Sequence, residues 1–142
     1  MLRFTKRADY GLMAIHYIAI HDEGAVSAKR IAEEFSIPQE LLAKILQRLA
    51  KQRLIVSHNG PKGGYVLSRR AAEISVGEVI RALEGPINIV SCLEDSECPQ
   101  MERCSLRRPV QKLQAAITQM LDTMSLAELT TEDVPEIFTI RA

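Results

Sequence analysis

No cysteine lies outside residues 92–104, no apolar run is long enough to cross a bilayer, and net charge sums to zero over the 142 residues. Each of these absences excludes something. Three cysteines are an odd number, so a closed disulfide framework would leave one thiol over, and a reducing, cytoplasmic setting is expected. Residues 1–20 place Arg3, Lys6 and Arg7 ahead of the apolar run GLMAIHYIAI. Asp9 and His16 interrupt that segment and no small-residue cleavage pattern follows, which argues against a signal peptide. The run is also far short of the roughly 20 apolar residues that span a membrane, so no membrane partner is expected. There is no internal repeat and no low-complexity segment. Nor is there a Gly-rich phosphate loop or a nucleophile–base pair, so an enzyme is not expected.

What is present is an ordinary globular composition, 46% hydrophobic and 25% charged, with few glycines or prolines. A chain of this length forms one domain, or one domain with an appendage, and buries about 68% of its unfolded surface. Zero net charge conceals an asymmetry. Residues 1–70 carry 12 Lys and Arg against 6 Asp and Glu, a net of +6, and residues 71–142 carry 6 against 12, a net of −6. Such a split points to a polyanion met by the first half only, although an uneven solvated surface would give the same sums.

Local signals divide the first half into short helices. Thr5 is placed to cap a helix running to about residue 21, with Leu12, Met13, Ile15, Tyr17 and Ile18 as its apolar positions. Ser27 caps a second helix over 28–35, and Ser36-Ile37-Pro38 makes a turn because the residue before proline avoids helical geometry. A third helix over about 38–52 turns Leu41, Leu42, Ile45, Leu46 and Leu49 inward. Helix, three-residue turn and helix is the spacing of a helix-turn-helix. Two short strands follow, over 54–57 and 65–68, around the loop His58-Asn59-Gly60-Pro61-Lys62-Gly63-Gly64, whose glycines let it turn tightly and protrude as a wing.

In the second half, Ser75-Val76-Gly77-Glu78 fits a capping box that opens a helix stopped by Gly85-Pro86. After the cysteine loop a long helix over about 106–124 carries Val110, Leu113, Ile117, Met120 and Met124 in steps of 3, 4, 3 and 4, the spacing of a coiled-coil seam. Little chain remains to cover that stripe, so a symmetric homodimer is expected. The tail from residue 130 is acidic and is expected to be irregular or loosely docked. The fold class is therefore mainly α with a small β-wing, a winged helix-turn-helix followed by a long C-terminal dimerisation helix. Three parts are expected: a DNA-binding domain over 1–85, a cysteine-containing loop over 86–105, and the dimerisation helix with the tail over 106–142.

A recognition helix presents its first turns to base edges in the major groove of double-stranded DNA. Gln39, Glu40, Ala43 and Lys44 occupy that end of the third helix. Gln pairs with adenine, Glu accepts from cytosine N4, and Ala touches a thymine methyl. Lys29, Arg30, Arg48 and Lys51 are suited to phosphates, which position without specifying, and Ser27 joins the DNA-binding set at the start of the second helix. Asn59 and Lys62 of the wing are placed to reach the minor groove or the backbone. A winged module that binds proteins would show the same pattern without salt-sensitive DNA affinity.

Cys92, Cys98 and Cys104 fall at a regular Cys-x5-Cys-x5-Cys spacing in a polar stretch. Thiolates so concentrated suit one soft metal centre. Iron–sulfur clusters commonly take four thiolates, so one position must be filled from elsewhere. Zinc sites more often show cysteine pairs two to four residues apart, which favours iron–sulfur and leaves zinc open. A thiol–disulfide switch is a further alternative. Acidic neighbours Glu94, Asp95, Glu97 and Glu102, with Cys98-Pro99, argue against buried, inert thiols.

With these motifs in hand, the chain resembles the Rrf-two family of bacterial winged-helix regulators, with its IscR-like and NsrR-like branches. The resemblance covers nearly the whole length and rests on TKRADYGLMA, IAEEFSIPQELLAKILQRLAK, GPKGGYVLSR, ISVGEVIRALEG and the three cysteines. It implies a homodimer with crossing C-terminal helices, palindromic operators, and response to iron–sulfur supply, iron, nitric oxide or oxidative stress. It also implies that each cluster lies near the partner's first helix. IscR-like members place a histidine three residues after the last cysteine; here Arg107 stands there, and a guanidinium has no free lone pair for a metal. NsrR-like members take an aspartate from the partner's first helix, which matches Asp9, with His16 a weaker candidate. The NsrR-like match favours a 4Fe–4S cluster and the IscR-like spacing permits 2Fe–2S. In the wing, Asn59 stands where many relatives carry a basic residue, which puts the minor-groove contact in question.

Overall fold

In a computed structural model, which describes residues 3–93 and 98–131, the elements run α1 (Lys6–Ile20), α2 (Ala28–Phe35), α3 (Gln39–Lys51), β1 (Ile55–His58), β2 (Gly64–Leu67), α4 (Val76–Glu84), α5 (Arg107–Thr123) and α6 (Leu126–Leu129). Local chemistry sets most boundaries. The Thr5 hydroxyl accepts from the Ala8 N–H and Ser27 from the Arg30 N–H, which caps α1 and α2 as expected. Ser75 and Glu78 form the reciprocal capping box at α4, and Gly85, at φ +82°, ends that helix. Ser36 closes α2 in the left-handed region at φ 52°, and Pro38 then caps α3 without a side-chain bond. The helix-turn-helix is therefore present with its three-residue turn.

Its core is one cluster. Ile15 of α1, Ile31 of α2, Leu42, Ile45, Leu46 and Leu49 of α3, and Val79 and Leu83 of α4 are fully buried against one another. At Gly11, where α1 crosses α4, an added methyl would overlap Leu83 Cδ1, so the Leu83 side chain packs directly on the backbone of α1 there.

The wing is antiparallel, with Ile55 opposite Leu67 and His58 opposite Gly64. Both strands sit one residue nearer the hairpin tip than expected. The cause is Leu54, whose N–H bonds the Leu49 carbonyl at 3.0 Å and so finishes α3 rather than opening β1. The wing base gains a further partner outside the hairpin. Val26 and Tyr65 exchange two backbone bonds, of 3.0 and 2.8 Å, across an antiparallel bridge. Gly64 makes that approach possible, since any Cβ there would overlap the Val26 carbonyl.

Beyond α4 the packing changes. The helix α5 has no buried residue, with Leu106 63% and Leu113 53% exposed. Among the described residues, the bonds from α5 and the turn after it to the head lie at the C-terminal end of the helix. Asp122 pairs with Arg81 at 2.6 Å, the Val76 N–H bonds the Met124 carbonyl at 2.8 Å, and the Leu126 N–H bonds the Ile74 carbonyl at 2.8 Å. The short α6 was not expected. It is held by a Ser125/Glu128 capping box and by Leu126, which is fully buried, a contribution of about 1.5–3 kcal/mol for such a side chain. The expected acidic tail lies almost wholly outside the described residues. No helix among those described is long and apolar enough to cross a membrane.

Candidate nucleic-acid interface and thiol loop

The first two turns of α3 present Gln39, Glu40 and Lys44 to solvent, with Ala43 half-buried between them. None of the three exposed side chains is engaged by another described residue. Lys44 continues into a groove of about 440 Å³ between α1 and α3, lined by Arg7, Lys44, Arg48 and Lys51 among others and by no acid. At the start of α2, Ser27 Oγ is occupied as an acceptor by the Arg30 N–H at 3.1 Å, which leaves its hydroxyl proton to donate. Lys29 lies 3.8 Å from Glu33, an exposed pair that leaves it open to a competing phosphate. The Arg30 guanidinium lies over the Tyr17 ring, 5.5 Å from its centroid. In the wing, Asn59 and Lys62 stand exposed at the tip, where Gly60 turns the chain at φ +121°.

Arg48 is placed differently from the other cations. Its Nη1 donates to the Leu83 carbonyl at 2.6 Å, so the guanidinium ties α3 to α4. Nothing local in the sequence signals this partner 35 residues away; Arg48 is exposed and keeps further donors, so it also stands among the phosphate candidates.

The three thiols are free. Cys92, in a one-turn 3₁₀ segment (Ser91–Leu93), and Cys98 are half-buried, and Cys104 is exposed. Two consecutive turns, closed by Met101 N–H to the Cys98 carbonyl and Arg103 N–H to the Gln100 carbonyl at 3.0 Å each, lead from Cys98 toward α5. Glu94, Asp95 and Glu97 lie outside the described residues. Among those described, no three His, Cys, Asp or Glu side chains are gathered closely enough to hold a metal ion. Asp9 is exposed in the first turn of α1, and its carboxylate bonds no described residue. His16 is half-buried in the same helix, its Nε2 buried without a partner among the described residues. The structure thus brings the three cysteines onto one loop but leaves Asp9 and His16 on α1, apart from them as ligands within one chain.

Two polar clusters that sequence reasoning missed fix the start of this loop. Glu84, the last residue of α4, accepts from Thr5 Oγ1 at 2.5 Å and takes a two-point fork from Arg7, at 3.0 and 2.9 Å. The Arg7 guanidinium holds the Glu84 carboxyl below the usual carboxylate range, and Glu84 in turn raises Arg7. Past Gly85, the Gln114 carboxamide of α5 bonds the Ile87 carbonyl and accepts from the Ile89 N–H at 2.8 Å, which clips the approach to Cys92 onto α5.

The profile of the Rrf2 family, described as an iron-dependent transcriptional regulator, matches residues 4–132. The chain is 33% identical over 129 residues to the transcriptional regulator IscR of Serratia proteamaculans, covering 90% of this chain and 79% of that one. It is 30% identical to the transcriptional repressor NsrR of Streptomyces coelicolor, covering 90% and 88%. Among solved structures, CymR, the global cysteine regulator of B. subtilis, superposes with a TM-score of 0.75 at 33% identity, covering 91% and 96%. A recognition helix with a wing, on a frame shared with these regulators, makes the chain a DNA-binding transcription regulator rather than an enzyme, and it belongs to the Rrf2 family.

Proposed function

We propose that this protein is a homodimeric repressor whose affinity for a palindromic operator is set by an iron–sulfur cluster. Residues 1–85 read DNA, residues 86–105 hold the cluster, and residues 106–142 carry the dimer seam. One observation carries the reading: all three thiols are free and reachable on the loop that leaves the end of α4, the helix to which α3 is bonded. Three thiolates fit an iron–sulfur cluster in donor chemistry if a fourth ligand comes from outside the loop. Cys92, Cys98 and Cys104 would hold it, and Asp9 of the partner subunit, exposed and unengaged, would complete the set. The three thiols of one chain are not gathered among the described residues, so the loop would have to draw them together when a cluster binds. When bound, the cluster would supply an iron centre that responds to iron supply, nitric oxide or oxidants. The resemblance to NsrR-like proteins favours 4Fe–4S, with 2Fe–2S permitted by the cysteine spacing.

The chain's own residues do the rest. Val110, Leu113, Ile117, Met120 and Met124 give α5 an apolar seam, with Leu113 exposed, that a second α5 would cover. In the dimer two α3 helices enter successive major grooves, about 34 Å apart. Gln39, Glu40, Ala43 and Lys44 face base edges, and Ser27, Lys29, Arg48, Asn59 and Lys62 meet the backbone. A change in the cysteine loop alters affinity only if the loop interacts differently with the two spacings of the heads.

Purification without oxygen, followed by visible absorption and assays of iron and sulfide, tests the reading. Matched iron and sulfide per chain are expected, and their ratio distinguishes two irons from four. Cys98→Ala should lose both; an unchanged iron content in that variant would sink the ligand assignment. A second reading, a zinc-dependent or thiol-oxidation regulator on the same frame, draws on the three free thiols and on the likeness to CymR. It predicts a colourless protein after attempted reconstitution, with thiols lost on exposure to peroxide or with bound zinc.

A further inference from the structure

Glu84 stands where three elements meet. Its carboxylate takes the fork from Arg7 and the hydroxyl of Thr5, which fastens the first turn of α1 to the last residue of α4. Thr5 is also the cap of α1, accepting from the Ala8 N–H at 3.1 Å, and its carbonyl accepts from the Asp9 N–H at 3.0 Å. One residue before Glu84, the Leu83 carbonyl holds Arg48 of α3 at 2.6 Å. One residue after it, Gly85 turns the chain at φ +82° toward Pro86 and the segment clipped by Gln114 ahead of Cys92. Beneath this polar layer the Leu83 side chain is fully buried and packs directly on Gly11, which keeps α1 and α4 in contact at that crossing.

From this geometry we propose that Glu84 is a positioning residue that couples the cysteine loop and the first turn of α1 to the placement of the recognition helix α3. A charged fork is directional, and loses its bonds when either partner shifts. Displacement of Pro86 or of the Thr5–Arg7 turn is therefore felt at Glu84, and the adjoining Leu83 carbonyl passes it to Arg48 and α3. The inference rests on the loop being the sensor, but coupling between two sites is reciprocal. DNA that holds α3 must then change the loop, whether or not the loop carries iron.

Reciprocity supplies the test. The full chain is stripped of metal with a chelator, and maleimide labelling rates of Cys92, Cys98 and Cys104 are measured by mass spectrometry. Rates are compared with and without a DNA duplex that the wild type has selected from a random pool. For the wild type, DNA should change the rate at one or more of these thiols by at least about fivefold, and Glu84→Gln should reduce that change to under about twofold. Arg7→Lys, which keeps the charge but not the fork, should act in the same direction and serves if Glu84→Gln does not fold. Glu78→Gln is the control: it breaks a comparable ion pair with Arg69, at 3.0 Å, away from this junction. It should leave the DNA effect intact. A purely structural role for Glu84 would lower the melting midpoint in both variants while leaving the DNA effect in both. Retention of the effect in Glu84→Gln, its equal loss in Glu78→Gln, or its absence from the wild type overturns the proposal. If the wild type binds no iron yet shows a DNA effect that depends on Glu84, the coupling stands and the cluster reading falls.

Discussion

Between Ala8 and Leu83 lie all the buried hydrophobic side chains described except Leu126, whereas α5, 17 residues long, buries none. The head supplies its own partners: α1, α3 and α4 close on one another, with α2 and the base of the wing filling the sides. The helix α5 leaves its apolar side chains uncovered, and in the proposed dimer they form half of an interface. This contrast separates two kinds of stability. Substitutions in the head should act on folding within one chain, and under the proposed dimer those on α5 should act on association and hence depend on protein concentration.

The largest effect is expected where the contrast is sharpest. Leu46 of α3 is fully buried at the centre of the head. Leu46→Ala should cost about 2–5 kcal/mol, read as a lower denaturant midpoint, because the transfer loss adds to the cavity left behind. A cost below about 1 kcal/mol would mean that the head core is not the closed unit described.

Next in size is Leu113→Glu. Leu113 is 53% exposed, so the change should leave the folding of the head within about 0.5 kcal/mol. Charge on an apolar seam should nevertheless separate the dimer, and sedimentation should fall from the mass of two chains to that of one. Loss of the second half-site should then lower operator affinity by well over tenfold, since a specific module gives up roughly half its contacts. A Leu113→Glu protein that still sediments as two chains places the dimer contact somewhere other than this stripe.

The same contrast explains what the sequence disclosed. Caps are local chemistry, and Thr5, Ser27 and Ser75 mark their helices within four residues of chain. The alternation of apolar positions in α3 and α5 was equally legible, because each helix carries its own period. Legibility failed at long range. Nothing near Arg7 announces Glu84, nothing near Arg48 announces the Leu83 carbonyl, and the Val26–Tyr65 bridge joins segments whose pairing only the fold decides. The Ser125-Leu126-Ala127-Glu128 box was a missed local signal; it has the same form as the box at Ser75, but follows a long helix closely enough to be read as its frayed end. Of the candidate site, the cysteines and the face of α3 can be read from the sequence, but the Thr5–Arg7–Glu84 junction between α1 and α4 cannot.

The smallest effect concerns the one ion pair that crosses between the two regions among the described residues. Asp122 of α5 meets Arg81 of α4 at 2.6 Å, and lies so close to Gly77 that a methyl there would overlap its carboxylate. The geometry is good, yet the two side chains are 38% and 39% exposed, and exposed pairs contribute only about 0.2–1 kcal/mol. Asp122→Asn keeps the shape and one acceptor and removes the charge. It should therefore lower stability by no more than about 1 kcal/mol at low salt, and the deficit should vanish near 1 M salt, where the screening length falls to about 3 Å. Burial of Leu126 and the backbone bonds at Val76 and Leu126 would then be what hold the end of α5 on the head. A deficit above about 2 kcal/mol that persists in high salt would reverse that ranking, with the carboxylate at Gly77 as the anchor and the apolar contact as its accompaniment.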